Sequence, residues 1–138
     1  MDKFEIKTGY FANLDKYLEE GLTPISIARF TPQGISCVKV SNLAPSEKLL
    51  NSFKGRTGAG SHPLDDEYEK EYISQIKPQI RFALEKIKHY KNPILLCYEA
   101  NKDECHRTLL ANYINENFPE YEVNEYEFEK TEEKDISL

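Results

Sequence analysis

The sequence predicts an α/β domain: a single open sheet, at least partly parallel, with helices on both of its faces. Three observations lead there. Five short apolar or alternating runs, at residues 4–8, 25–30, 35–40, 94–97 and 122–128, have the length and pattern of strands. Between them, apolar residues recur at helical spacing. The chain of 138 residues is long enough for one domain with a hydrophobic core. The domain is expected to span residues 1–130, with 131–138 as an acidic, frayed tail.

Each element has its own warrant. Residues 4–8 alternate apolar and polar side chains, the period of a half-buried strand, and Gly9 is read as its end. Phe11, Leu14, Tyr17 and Leu18 then fall at helical spacing, and Gly21 suits the helix end. After Pro24, the run 25–30 reads as a strand with Ile25, Ile27 and Arg29 on one face, closed by the turn residues Thr31-Pro32-Gln33-Gly34. A third strand is expected at 35–40. Pro45 is placed in the first turn of a helix, where a missing N–H costs nothing, and Leu49, Leu50 and Phe53 give that helix its apolar face. Residues 54–63 read as a glycine-rich loop, basic at its start. This is not a Walker-type phosphate loop, because no Gly-Lys-Ser/Thr closes it.

Ile73, Ile76, Ile80, Leu84 and Ile87 form a helical stripe, either one helix or two joined near Pro78. Pro93 bounds the buried strand 94–97. The next helix is expected to begin near Asp103 and to present Leu109, Leu110, Tyr113 and Ile114. Residues 122–128 read as an edge strand whose glutamates resist pairing with other chains. Their alternation slips between Val123 and Tyr126.

Hydrophobic residues make up 39% of the chain and charged residues 30%. No run approaches the roughly 20 apolar residues of a membrane span, so no membrane association is expected. Residues 116–138 hold nine acids and two lysines, a net of −7 against −6 for the whole, so residues 1–115 carry +1. A near-neutral body argues against binding extended nucleic acid. Cys37, Cys97 and Cys105 are an odd number without framework spacing, and the first residues lack an apolar signal core. Both features predict reduced thiols in the cytoplasm.

Chemistry concentrates where the strand ending at Cys97 passes through a polar loop into Cys105-His106-Arg107. Strand, loop and helix set reactive groups at the carboxyl edge of a sheet, where ligands bind in α/β folds. The helix start offers free N–H groups, and Arg107 and Arg29 add forked donors for an anion, with Cys97 beside them and Lys54 or Arg56 reaching in from the loop. The favoured reading is therefore a site for a small anionic or nucleotide-like ligand. In a second reading, Cys105 is a thiol nucleophile, His106 or Glu99 carries the proton and Arg107 stabilises an oxyanion. His106 also fits a hydrogen-bonded core histidine. A third reading makes the acidic last strand a docking surface for a partner. Metal is not expected: adjacent residues on a helix diverge by about 100°, so Cys105 and His106 would share an ion only at a distorted helix start. No cofactor is expected, and the oligomeric state is not encoded in any feature of the sequence.

The run Leu95-Leu96-Cys97-Tyr98-Glu99 followed by Cys105-His106-Arg107 resembles the signature of the domain of unknown function 488 family. Ile25-Ser26-Ile27-Ala28-Arg29 with Pro32, and Leu43-Ala44-Pro45-Ser46 leading to Lys54, are similar to further parts of it. The resemblance implies Rossmann-like layering and names no activity. One position departs: many members carry an acid two residues before the arginine, and Ile27 stands there in this chain.

Overall fold

The computed structural model describes residues 2–127; the expected tail at 131–138 lies outside them. Five strands form one open sheet: β1 (Phe4–Tyr10), β2 (Thr23–Ser26), β3 (Val38–Lys39), β4 (Pro93–Cys97) and β5 (Tyr121–Glu125). Their order is β3-β2-β4-β1-β5, and every pairing is parallel. The helices are α1 (Leu14–Glu19), α2 (Glu47–Thr57), α3 (Asp66–Ile76), α4 (Ile80–Ile87) and α5 (His106–Asn117). None of the described helices is long and apolar enough to cross a membrane.

β4 lies at the centre and buries all five of its residues, which is why it reads as a continuous apolar run. Leu95 joins Ile6, Ile25 and Val123 in the core under α2–α5, while Ile94 and Leu96 pack with Phe11 and Tyr17 on the α1 side. Gly9 does not end β1 but lies inside it. A Cβ there would come within 2.5–3.0 Å of the Tyr17 ring and hydroxyl, so the residue is glycine because α1 crosses closely. Gly21 does close α1, at φ +80°.

Local chemistry moves several expected boundaries. β2 stops at Ser26, because the Ser26 hydroxyl takes the Ala28 N–H (3.4 Å) and the Thr31 hydroxyl (2.9 Å) and turns the backbone. Ile27 still donates to Leu96 O (3.0 Å), after which Ala28-Arg29-Phe30 leaves the sheet. The third strand shrinks to two residues. Pro45 precedes α2 instead of starting it; Ser46 is the cap, accepting from the Leu49 N–H at 3.1 Å. α2 runs on to Thr57, so Lys54 and Arg56 are helical and the loop begins at Gly58. The Ile stripe breaks into α3 and α4 around Pro78, whose missing N–H and ring prevent a continuous helix. In β5, Tyr121, Val123 and Glu125 keep regular inward alternation, the first two buried and Glu125 partly so. β5 is an edge strand, as expected.

Candidate functional site

The carboxyl ends of β2 and β4 and the start of α5 enclose a cavity of ≈ 340 Å³. Its walls are largely apolar, with Leu50 and Phe53 from α2, Tyr68 from α3, and Leu64. Cys97, Cys105 and His106 form part of the lining, with Glu99, Arg29 and Phe30. Phe30 keeps 67% of its surface exposed. The loop from Gly58 to Leu64 supplies Gly60, Ser61 and His62. Arg56 fixes both ends of that loop, pairing through Nε and Nη2 with the Asp65 carboxylate (3.0 Å each) and through Nη1 with Glu67 (2.9 Å). Leu64 N–H donates to Asp103 O (3.0 Å), and the Ser61 hydroxyl donates to Glu99 Oε2 (2.8 Å), tying this loop to the one before α5.

Behind the cavity sits Arg107, with no exposed surface. A guanidinium has five N–H donors, and all five are engaged. Nε and Nη2 grip Glu125 at 2.8 and 2.9 Å, Nη2 also reaches Ala100 O at 3.1 Å, and Nη1 donates to Glu99 O and to Cys97 Sγ, the latter at 3.1 Å. The Tyr10 ring lies 5.4 Å from the guanidinium carbon. Arg107 thus fixes the turn after β4 and points a cation at the Cys97 sulfur.

Cys105 is extended (φ −134°, ψ 141°) and precedes α5, which begins at His106. The ring of His106 places Nε2 2.7 Å from Ile27 O and Nδ1 3.7 Å from Cys105 Sγ. A carbonyl only accepts, so Nε2 carries the hydrogen and the Nδ1 lone pair faces the sulfur. Burial pulls the imidazole pKa down to about 4, against the Ile27 hydrogen bond and with help from the Arg107 cation, so the ring is neutral near pH 7. The Cys97 and Cys105 sulfurs meet at bonding distance, so two of the three thiols expected to be reduced are placed as a disulfide pair. Cys37 is the free one, and burial raises its pKa. Spacing along the chain gave no sign of the pairing, because the turn at residues 98–104 folds back to bring the two sulfurs together.

With the cysteines, His106 and Arg107 on one strand-to-helix turn, a family model described as "Active DUF488-N3 subclade" matches residues 10–118. The chain belongs to the DUF488 family. No curated protein and no solved structure matches it. The matched span carries Arg29, Cys97, Glu99, Cys105, His106 and Arg107. Glu125, the carboxylate that grips Arg107, lies beyond it.

Of the residues read from the sequence, this DUF488 chain brings Cys97, Glu99, Cys105, His106 and Arg29 to one cavity. Two expectations are corrected. Arg107 has no donor left for an anion, and Lys54 is exposed on α2 and absent from the lining. Arg29 stands at the mouth, 3.8 Å from Glu47. The partner of His106 is the backbone carbonyl of Ile27, the position where many family members carry an acid. The acidic strand is not simply a docking face either, because Glu125 turns inward to Arg107 and Thr8. Ser61, His62 and Glu125 were missed. Period-2 counting from Tyr121 would have put Glu125 on the buried face, where a carboxylate needs a cation.

Proposed function

We propose that this protein binds a small nucleotide-like ligand, with a flat apolar body and an anionic group, in the cavity between β2, β4 and α5. The observation that carries the reading is the cavity itself. It lies at a sheet's carboxyl edge, is walled by Phe53, Tyr68 and Leu50, and carries Arg29, Glu99, Glu104 and His106 as polar groups around an apolar body, the usual make-up of a small-molecule site. The exposed Phe30 ring offers a stacking surface at the mouth, beside the Arg29 guanidinium. With Arg107 occupied, Arg29 is the cation left to meet the ligand's charge.

Calorimetric titration of nucleotides and sugar phosphates tests this. At least one is expected to bind, and Arg29→Ala weakens it about tenfold, the value of one solvent-exposed charge-assisted hydrogen bond. Failure of the whole panel to bind, or equal binding by the variant, overturns the reading.

The start of α5 favours a second reading, a thiol enzyme with the reduced Cys105 as nucleophile. Its thiolate is stabilised by the helix dipole and the nearby Arg107 cation, while the weakly basic Nδ1 of His106 only faces the sulfur. Iodoacetamide should then label Cys105 of the reduced protein faster than a free model thiol at neutral pH. Equal or slower labelling removes it.

A further inference from the structure

We infer that the reduced protein holds a thiophilic divalent cation of the zinc type on Cys97 Sγ, Cys105 Sγ and His106 Nδ1. The three ligand atoms lie within 4.8 Å of one another, and all three residues are buried. This goes beyond ligand binding in the cavity and does not depend on it.

The geometric objection to such a site is that neighbouring helical residues diverge. It does not apply to this chain, because Cys105 is extended and outside α5, so its side chain and that of His106 converge. His106 is also oriented as a metal-bound imidazole usually is. Its Nε2–H is fixed by a backbone carbonyl, at 2.7 Å, which leaves Nδ1 as the electron-pair donor.

Donor chemistry selects the ion. Two thiolates and an imidazole suit zinc and disfavour calcium or magnesium, which take oxygen ligands. Charge is balanced as well: two thiolates neutralise the dication, and the Arg107–Glu125 pair is neutral within itself. The Arg107 Nη1–H on Cys97 Sγ serves as an outer hydrogen bond to a coordinated sulfur. Glu99 is held by Ser61, so three protein ligands leave a fourth position toward the cavity.

The disulfide and the metal are alternatives. Two low-molecular-weight thiols reduce the Cys97–Cys105 bond, giving two cysteine thiols and one external disulfide. Zinc then binds both sulfurs as thiolates and releases two protons to solvent.

Cobalt(II) titration of the full chain, reduced with a phosphine and freed of excess reductant, is the test. One equivalent should produce thiolate-to-cobalt charge-transfer absorption and tetrahedral visible bands, and zinc should abolish both. Cys97→Ser, Cys105→Ser and His106→Asn should each weaken uptake by more than about 100-fold, the upper range for losing only an outer partner. Cys37→Ser should leave it unchanged. Alkylation mapping on the wild type keeps the question open to decision if a variant misfolds: zinc should protect Cys97 and Cys105 and leave Cys37 reactive. The inference fails if the reduced protein gives no cobalt spectrum at stoichiometric concentration, if Cys105→Ser binds as the wild type does, or if zinc protects neither cysteine. Metal uptake without nucleotide binding would overturn only the ligand proposal, and the converse only this one.

Discussion

Replacing Glu125 with Gln tests the part of the site on which the others lean. Arg107 is fully buried and donates two charge-assisted hydrogen bonds to that carboxylate, at 2.8 and 2.9 Å. The Thr8 hydroxyl donates to the same carboxylate at 2.7 Å. An amide in its place is neutral and sets an N–H₂ against a donor. Removing one partner of a buried ion pair costs about 3–5 kcal/mol, since the other charge stays desolvated. For a chain of this size that lowers Tm by on the order of 10–20 °C. Urea unfolding with the disulfide intact measures it, as a lower midpoint at unchanged slope. The double variant Arg107→Met with Glu125→Leu should lose less than the sum of the two single changes, by about 2 kcal/mol or more. A loss under about 1 kcal/mol for Glu125→Gln, or strict additivity, would refute the view that this pair anchors the turn after β4.

Other expectations follow from particular contacts. Gly9→Ala drives a methyl into Tyr17 and should cost about 1–3 kcal/mol in urea unfolding, whereas Gly55→Ala in α2 meets nothing within 4 Å and should gain up to about 1 kcal/mol. Ser46→Ala removes the α2 cap and should cost about 1 kcal/mol by the same assay. His106 binds its proton at about 4 when folded and near 6.5 when unfolded, so the unfolded state takes up more protons between these values. Stability of the metal-free protein is therefore full above pH 6.5 and falls by roughly 3 kcal/mol as pH drops through 4; His106→Gln should remove most of that slope between pH 4 and 6.5.

The sheet was legible because strands covered on both sides must be apolar throughout and helices must repeat near 3.6. Ile94–Cys97 and the stripe from Ile73 to Ile87 carry those signals directly. The ends of elements were not, since side chains from elsewhere set them: the Ser26 hydroxyl ends β2 early, and Tyr17 explains Gly9 better than a turn does. At the site, the strand-to-helix turn placed Cys97, Glu99, Cys105 and His106 correctly near one another. Periodicity says nothing about which partner a buried cation chooses. Arg107 found Glu125, 18 residues on across β5, and so withdrew from the anion site that its position had suggested. Ser61 and His62 were hidden in a glycine-rich stretch whose fixed course depends on Arg56 meeting Asp65.

The most direct check on a ligand site at the junction of β4 and α5 is a crystal structure of the protein with whatever it carries through purification. The prediction is density for a small molecule in the cavity, against Phe53 and Tyr68, with its charged end at Arg29 and its near side beside Cys105. A cavity closed by inward movement of Phe53 or Tyr68, leaving Cys105 and His106 packed only against protein, would contradict it.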